Sequence, residues 1–173
     1  MDHFFEKLGI ATRLLAEVDL HGSIESGYIV SNIMVAIAHE QIRFGFDDAA
    51  RPVCFWTWAY LAPDVERRLM TSSTVSLHMS EWNEGGNLWI VDFVAPHGHL
   101  RSIIEYMHRY FSPAASSGYS MRRYKDGAVR KINGWGTEHM PRPRNNEFRL
   151  PDTAFAESKT SWLQQRQMHD KDK

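Results

Sequence analysis

Cysteine is nearly absent: Cys54 is the only one in 173 residues. A single thiol excludes an internal disulfide framework and any multi-cysteine zinc site. Long apolar runs are missing too. The longest, Ile29 to Ala38, is interrupted by Ser31 and Asn32 and is far too short to span a bilayer, so no stable membrane insertion is expected. Charge of one sign is not in excess. Twenty Lys and Arg against 21 Asp and Glu leave a net charge of -1, where a general nucleic-acid binder would be strongly basic. Met1 to Lys7 has no basic region leading into an apolar stretch, so no secretory leader is expected. The motifs G-x-S-x-G, G-x-x-x-x-G-K-[ST], H-E-x-x-H and G-x-G-x-x-G are all missing, which leaves a phosphate-bearing cofactor without a recognisable cradle.

What is there is the make-up of one folded domain. Hydrophobic residues are 43% and charged residues 24% of the chain. A chain of this size buries roughly 70% of its unfolded surface. A single-domain, reducing-compartment protein is expected, most simply cytoplasmic.

The hydrophobic periods give the order of elements. Phe5, Leu8, Leu15 and Val18 predict a helix over 3–18, and Ile29, Ile33, Ala36 and Ile37 a second over 25–38. Alternation over Gln41 to Phe46 and the aromatic run Pro52 to Leu61 predict a hairpin turning at Asp47–Ala50. Pro63 and Asp64 open a short helix. Asn87 to Ala95 is apolar on both faces, as a central strand should be. A helix from His99 to Phe111 follows, then a hairpin of Tyr119–Tyr124 with Ala128–Ile132. Residues 138–152 read as a surface connection and 154–168 as a weak final helix. The sum is an α+β fold around one mixed central sheet with flanking helices. Residues 1–152 form the domain, and 153–173 a terminal helix with a charged tail.

Asp92 stands out inside Leu88-Trp89-Ile90-Val91-Asp92-Phe93-Val94. A carboxylate there is costly unless paired or hydrogen-bonded. Alternation puts it on one face with Ile90 and Val94. It serves either a structural ion pair or the orientation of a histidine. Nine histidines are available. His21 lies in a loop between two helices. His97, His99 and His108 cluster after the strand, where H-x-H spacing can supply metal ligands. Cys54 reads as buried and inert. The aromatic residues read mostly as core, with a minor reading as the lining of an acyl channel. Met121 to Arg144 carries seven Lys or Arg against Asp126 and Glu138, a net +5 that suits an acidic partner.

Two stretches carry a family resemblance. Pro52-Val53-Cys54-Phe55-Trp56-Thr57-Trp58-Ala59-Tyr60-Leu61 and Leu88-Trp89-Ile90-Val91-Asp92-Phe93-Val94-Ala95-Pro96-His97-Gly98 resemble the RTX-toxin-activating lysine acyltransferases, the haemolysin-activating proteins. The Leu20-His21 pair and Asn32 also fall at family-like positions, and the likeness covers about residues 5–135. It implies a GNAT-like acyltransferase fold. It implies transfer of a fatty acyl chain from acyl carrier protein to internal lysines of an RTX protoxin, without a metal or other cofactor. It maps the catalytic histidine to His21 and the catalytic aspartate to Asp92. Asn32 and Arg122 are implied on the substrate side, and the basic hairpin adds Arg130. Homodimerisation stays open. The sequence departs from the family at Gly22-Ser23-Ile24-Glu25-Ser26, where a basic residue and Trp-Pro are usual, and at Val18, where a serine is often found. The competing readings are a non-catalytic protein that grips an acyl carrier or toxin on the same fold, and a metal-dependent hydrolase built on His97, His99 and His108.

Overall fold

A computed structural model describes residues 2–18, 26–72, 77–98, 100–111, 117–123 and 129–136. Helix α1 (Asp2–Ala16) leads to a composite helix made of α2 (Ser26–Tyr28), a π-turn (Ile29–Ile33) and α3 (Met34–Ala38). The strands β1 (Ile42–Phe46) and β2 (Pro52–Leu61) follow, then α4 (Pro63–Thr71), a 3-10 turn (Met79–Trp82) and β3 (Asn87–Val94). Helix α5 (Leu100–Phe111) and the strands β4 (Ser117–Arg123) and β5 (Val129–Gly136) complete the order. The sheet runs β1-β2-β3-β4-β5, antiparallel throughout except for the parallel β3–β4 pair. This is an α+β, GNAT-like architecture with β3 in the middle, as the apolar pattern of β3 implies.

Local chemistry explains the joints. Asp47 Oδ1 accepts from the backbone N–H of Ala49 and Arg51, at 3.0 and 2.8 Å, and closes the β1–β2 turn. Pro63 sits in the first turn of α4, with Asp64 and Glu66 at the positive end of the helix dipole. Glu66 then reaches across to the sheet. It accepts from Asn87 Nδ2 and Trp89 Nε1, each at 2.8 Å, and ties α4 to β3. Gly85 permits the tight approach that leads into β3: a Cβ there would lie 2.1 Å from the Leu61 carbonyl oxygen.

Two apolar layers sandwich the sheet. On one side, Leu14, Leu15, Ile33 and Ile37 of the N-terminal helices pack with Phe55, Ala59, Leu61 and Trp89. On the other, Ile103, Met107 and Phe111 of α5 pack on Trp56, Trp58, Leu88 and Ile90. In the second layer the aromatic side chains of β2 pack against α5. Trp56 meets Tyr106 at 5.9 Å and Trp58 meets Phe111 at 5.2 Å, so α5 fills that face.

Two irregularities shape the sheet around Asp92. The β2–β3 register slips between Thr57 and Trp58: Thr57 faces Asp92, while Trp58 faces Ile90. Val91 is therefore the extra residue of a β-bulge. In addition, β3 and β4 pair only at Trp89–Tyr119 and Ile90–Ser120, although both strands continue. They part just before Asp92. The β4–β5 hairpin extends to Gly136, four residues past the Ile132 expected from the sequence. The expected connection over 138–152 and helix over 154–168 lie outside the described residues.

Candidate active site

The bulge at Val91 decides where Asp92 points. Strand alternation would put Asp92 with Ile90 and Val94. In the structure Ile90 packs in the α5 layer and Val94 in the layer of the N-terminal helices. The slipped register turns Asp92 to the second of these, where it meets Thr57 and Tyr28. Re-aiming one side chain in this way is a common use of a bulge beside a functional site.

Asp92 is 7% exposed and Thr57 0%. Thr57 Oγ1 donates to Asp92 Oδ2 at 3.0 Å and accepts from the Asp92 backbone N–H, also at 3.0 Å. The Tyr28 hydroxyl donates to Asp92 Oδ1. Each carboxylate oxygen thus has a donor, which offsets much of the cost of burying the charge. Burial first, then the charge of Asp92 and the hydrogen bond to it, hold the Tyr28 hydroxyl well above the usual phenol range. Tyr28 therefore keeps its proton across neutral pH and acts as a donor.

The composite helix sets the other side of the site. Its π-turn widens the backbone, with the Met34 N–H bonding to the Ile29 carbonyl. Such turns are rare and recur at functional sites. Asn32, 1% exposed, sits within it. Its Nδ2 donates to Ser31 Oγ at 2.9 Å and to the Tyr28 carbonyl at 3.4 Å. Its Oδ1 is buried with no partner among the described residues. Asn32 and Asp92 are thus linked through Tyr28.

The remaining sequence candidates fall in other places. His21 and His99 lie outside the described residues. Arg122 is exposed on β4 opposite Lys131, with the parity of Gly118, which packs under Trp135 in the α5 layer. That is the face away from Asp92. Arg130 is the exposed extra residue where the β4–β5 register slips after Arg122. Arg123, not singled out from sequence, turns to the Asp92 side and donates to the carbonyls of Leu69 in α4 and of Ser72 just after it, at 2.7 and 2.5 Å. His97 pairs with Glu17 at 2.8 Å, and His108 stacks on Trp135 at 5.1 Å. Among the described residues no three His, Cys, Asp or Glu side chains group as metal ligands. Burial pushes the Cys54 thiol up to about 12, which makes it the inert core residue expected.

The site is thus a buried carboxylate with two side-chain donors at the point where two strands part. The family model for the RTX toxin acyltransferase family matches residues 2–136, most of the chain. The chain belongs to the RTX toxin acyltransferase family. Among its curated relatives is the RTX-II toxin-activating lysine-acyltransferase ApxIIC of Actinobacillus pleuropneumoniae, 30% identical over 62% of this chain and 66% of the relative. The leukotoxin-activating lysine-acyltransferase LtxC of Aggregatibacter actinomycetemcomitans is 30% identical over 74% of each chain. The protein-lysine myristoyltransferase RtxC of Kingella kingae is 29% identical over 65% of each. The chain thus spans about two thirds to three quarters of these relatives' lengths. Among the described residues no helix is long and apolar enough to cross a membrane.

The family pattern selected Asp92 from sequence but not its two donors. Thr57 had a signal, as a small polar residue amid Val53-Cys54-Phe55-Trp56 and Trp58-Ala59. Tyr28 had a weaker one, four residues before Asn32 on a helix.

Proposed function

We propose that this chain is a protein-lysine acyltransferase that moves a fatty acyl chain from acyl carrier protein to internal lysines of an RTX-type protoxin in the cytoplasm. The observation that carries the reading is the buried Asp92 carboxylate, braced by Tyr28 and Thr57, in a chain of this family. The relatives named as lysine acyltransferases and as a myristoyltransferase support the reaction class and a long acyl chain.

In the proposed reaction the lysine enters as the neutral amine, its ammonium proton released to solvent, and His21 as general base takes the proton the nitrogen sheds on attack. The amine nitrogen attacks the thioester carbonyl, and the tetrahedral oxyanion collapses with loss of the carrier's thiolate. The imidazolium returns the proton to that thiolate. The products are an amide and a free carrier thiol, so no oxidant, nucleotide or metal is consumed. Asp92 fixes the imidazole tautomer and stabilises the imidazolium. Asn32 lines the substrate side, and Arg122 and Arg130 meet the acidic carrier on the outer face of the hairpin.

The test is incubation of the purified chain with myristoyl-loaded acyl carrier protein and a protoxin segment, with amide formation followed by mass spectrometry. Turnover is expected in the parent. His21→Ala should abolish it in a folded protein, and Asp92→Asn should lower it by about 10²-fold or more, by analogy with orienting carboxylates. A folded parent that binds the loaded carrier without turnover is a binding protein and refutes the reading. A His21→Ala variant at the parent rate removes His21 from the mechanism.

A further inference from the structure

Tyr28 reaches Asp92 from outside the sheet. It comes from a sequence position 64 residues away, and its hydroxyl takes Asp92 Oδ1, the oxygen Thr57 does not bond. Thr57 bonds a single carboxylate oxygen, which by itself does not set the plane of the group. A second donor on the other oxygen, from a different layer of the fold, fixes the plane of the carboxylate. Tyr28 is itself held: its carbonyl accepts from the buried Asn32 amide, and the π-turn begins at the next residue.

We propose that Tyr28 is a positioning residue for lysine acylation, its hydroxyl fixing the plane of the Asp92 carboxylate and keeping it ionised toward the general base. The inference rests on the acyltransferase function proposed for this chain. A carboxylate has about four lone-pair sites, and two donors leave room for a further one on each oxygen. A hydrogen bond to the charged form favours that form. Tyr28 is not the base, because its proton is held against a buried anion. It acts on the reaction only through Asp92.

The test compares the parent with Tyr28→Phe, which keeps the ring and removes only the donor. The Asp92 carboxyl carbon is followed against pH by ¹³C NMR and assigned by its loss in Asp92→Asn. In Tyr28→Phe the midpoint should rise by about one pH unit, the equivalent of one hydrogen bond of roughly 1.4 kcal/mol. In the acylation assay kcat should fall about ten-fold. KM for the loaded carrier should hold, and the acid limb of the kcat–pH profile should move up with the carboxyl midpoint. A folded Tyr28→Phe with an unmoved midpoint overturns the inference, and so does a moved midpoint at parent kcat. A merely structural tyrosine would lower the melting temperature alone. If Tyr28→Phe fails to fold, the converse measurement decides. The chain has six tyrosines, and ultraviolet titration should show one whose ionisation moves down in Asp92→Asn; no moving tyrosine overturns the inference. A parent that acylates nothing refutes the reaction itself, and the carboxyl titration still decides whether Tyr28 holds Asp92.

Discussion

Replacing Thr57 by Val isolates the energy that holds Asp92 in the sheet. The two side chains are nearly the same shape, and the site is sealed, with Thr57 0% and Asp92 7% exposed. Two hydrogen bonds are lost, both 3.0 Å long. The one to the carboxylate is charge-assisted, about 1.5–3 kcal/mol, and the one from the Asp92 N–H is neutral, about 1 kcal/mol. The new methyl returns about 0.8 kcal/mol of burial. The net loss is therefore about 2–3 kcal/mol. For a chain of this length that lowers the melting temperature by about 5–10 °C, at roughly 2–4 °C per kcal/mol. The assay is urea unfolding of the parent, Thr57→Val, Asp92→Ala and the double variant at pH 7. In the Asp92→Ala background only the backbone hydrogen bond remains, and the methyl offsets most of it, so Thr57→Val should cost about 0.2 kcal/mol there. The coupling of about 1.5–3 kcal/mol is the charge-assisted bond. A Thr57→Val loss under 0.5 kcal/mol, or strictly additive losses, would refute this account of how the carboxylate is held.

Two further outcomes are expected. Arg122→Glu with Arg130→Glu should raise KM for the loaded carrier and flatten the fall of initial rate with added salt, because exposed charges steer encounter within a Debye length of about 8 Å; equal salt slopes in parent and variant would move the carrier to another surface. Burial lowers the proton affinity of His108, so the unfolded chain binds the proton more readily. Stability should then fall as pH drops below about 6.5, the ordinary histidine value. His108→Phe, which keeps a ring against Trp135, should flatten that fall in a thermal-melt series from pH 5 to 8, and an unchanged slope would assign it to other groups.

Much of the frame was legible in the chain. Asn87 to Ala95 is apolar on both faces because β3 is covered on both sides, by the N-terminal helices and by α5. Pro63 with Asp64, and Asp47 at its turn, act through local hydrogen bonds and dipoles that need no tertiary context. Asp92 was legible as a buried charge and as a family position, but its direction was not. Alternation counts residues by twos, and the extra residue Val91 breaks that count without any mark in composition. Tyr28 escaped for a related reason. Its role depends on a turn wider than 3.6 residues and on a partner in the middle of the sheet. The basic hairpin could be read as charge, but which face each arginine takes depends on the slip after Arg122.

The π-turn and the Val91 bulge have a consequence for how this chain can change length. Each is one residue more than its element needs, one in a helix and one in a strand, and the Tyr28–Asp92 contact lies between them. Removing one residue from Ile29–Ile33 would restore an ordinary α-helix. The surplus residue is taken up inside the turn, so the helix on its N-terminal side would keep nearly the same phase relative to the sheet. Removing Val91 would restore even alternation and leave Asp92 opposite Thr57, in the layer of the N-terminal helices. Each surplus residue is thus absorbed inside one turn or one bulge, with Tyr28 and Asp92 still facing each other. A residue removed from the regular helix α3 would instead turn everything before it by about 100° and move it by about 1.5 Å, so these two irregularities are where this chain can shorten with the site intact.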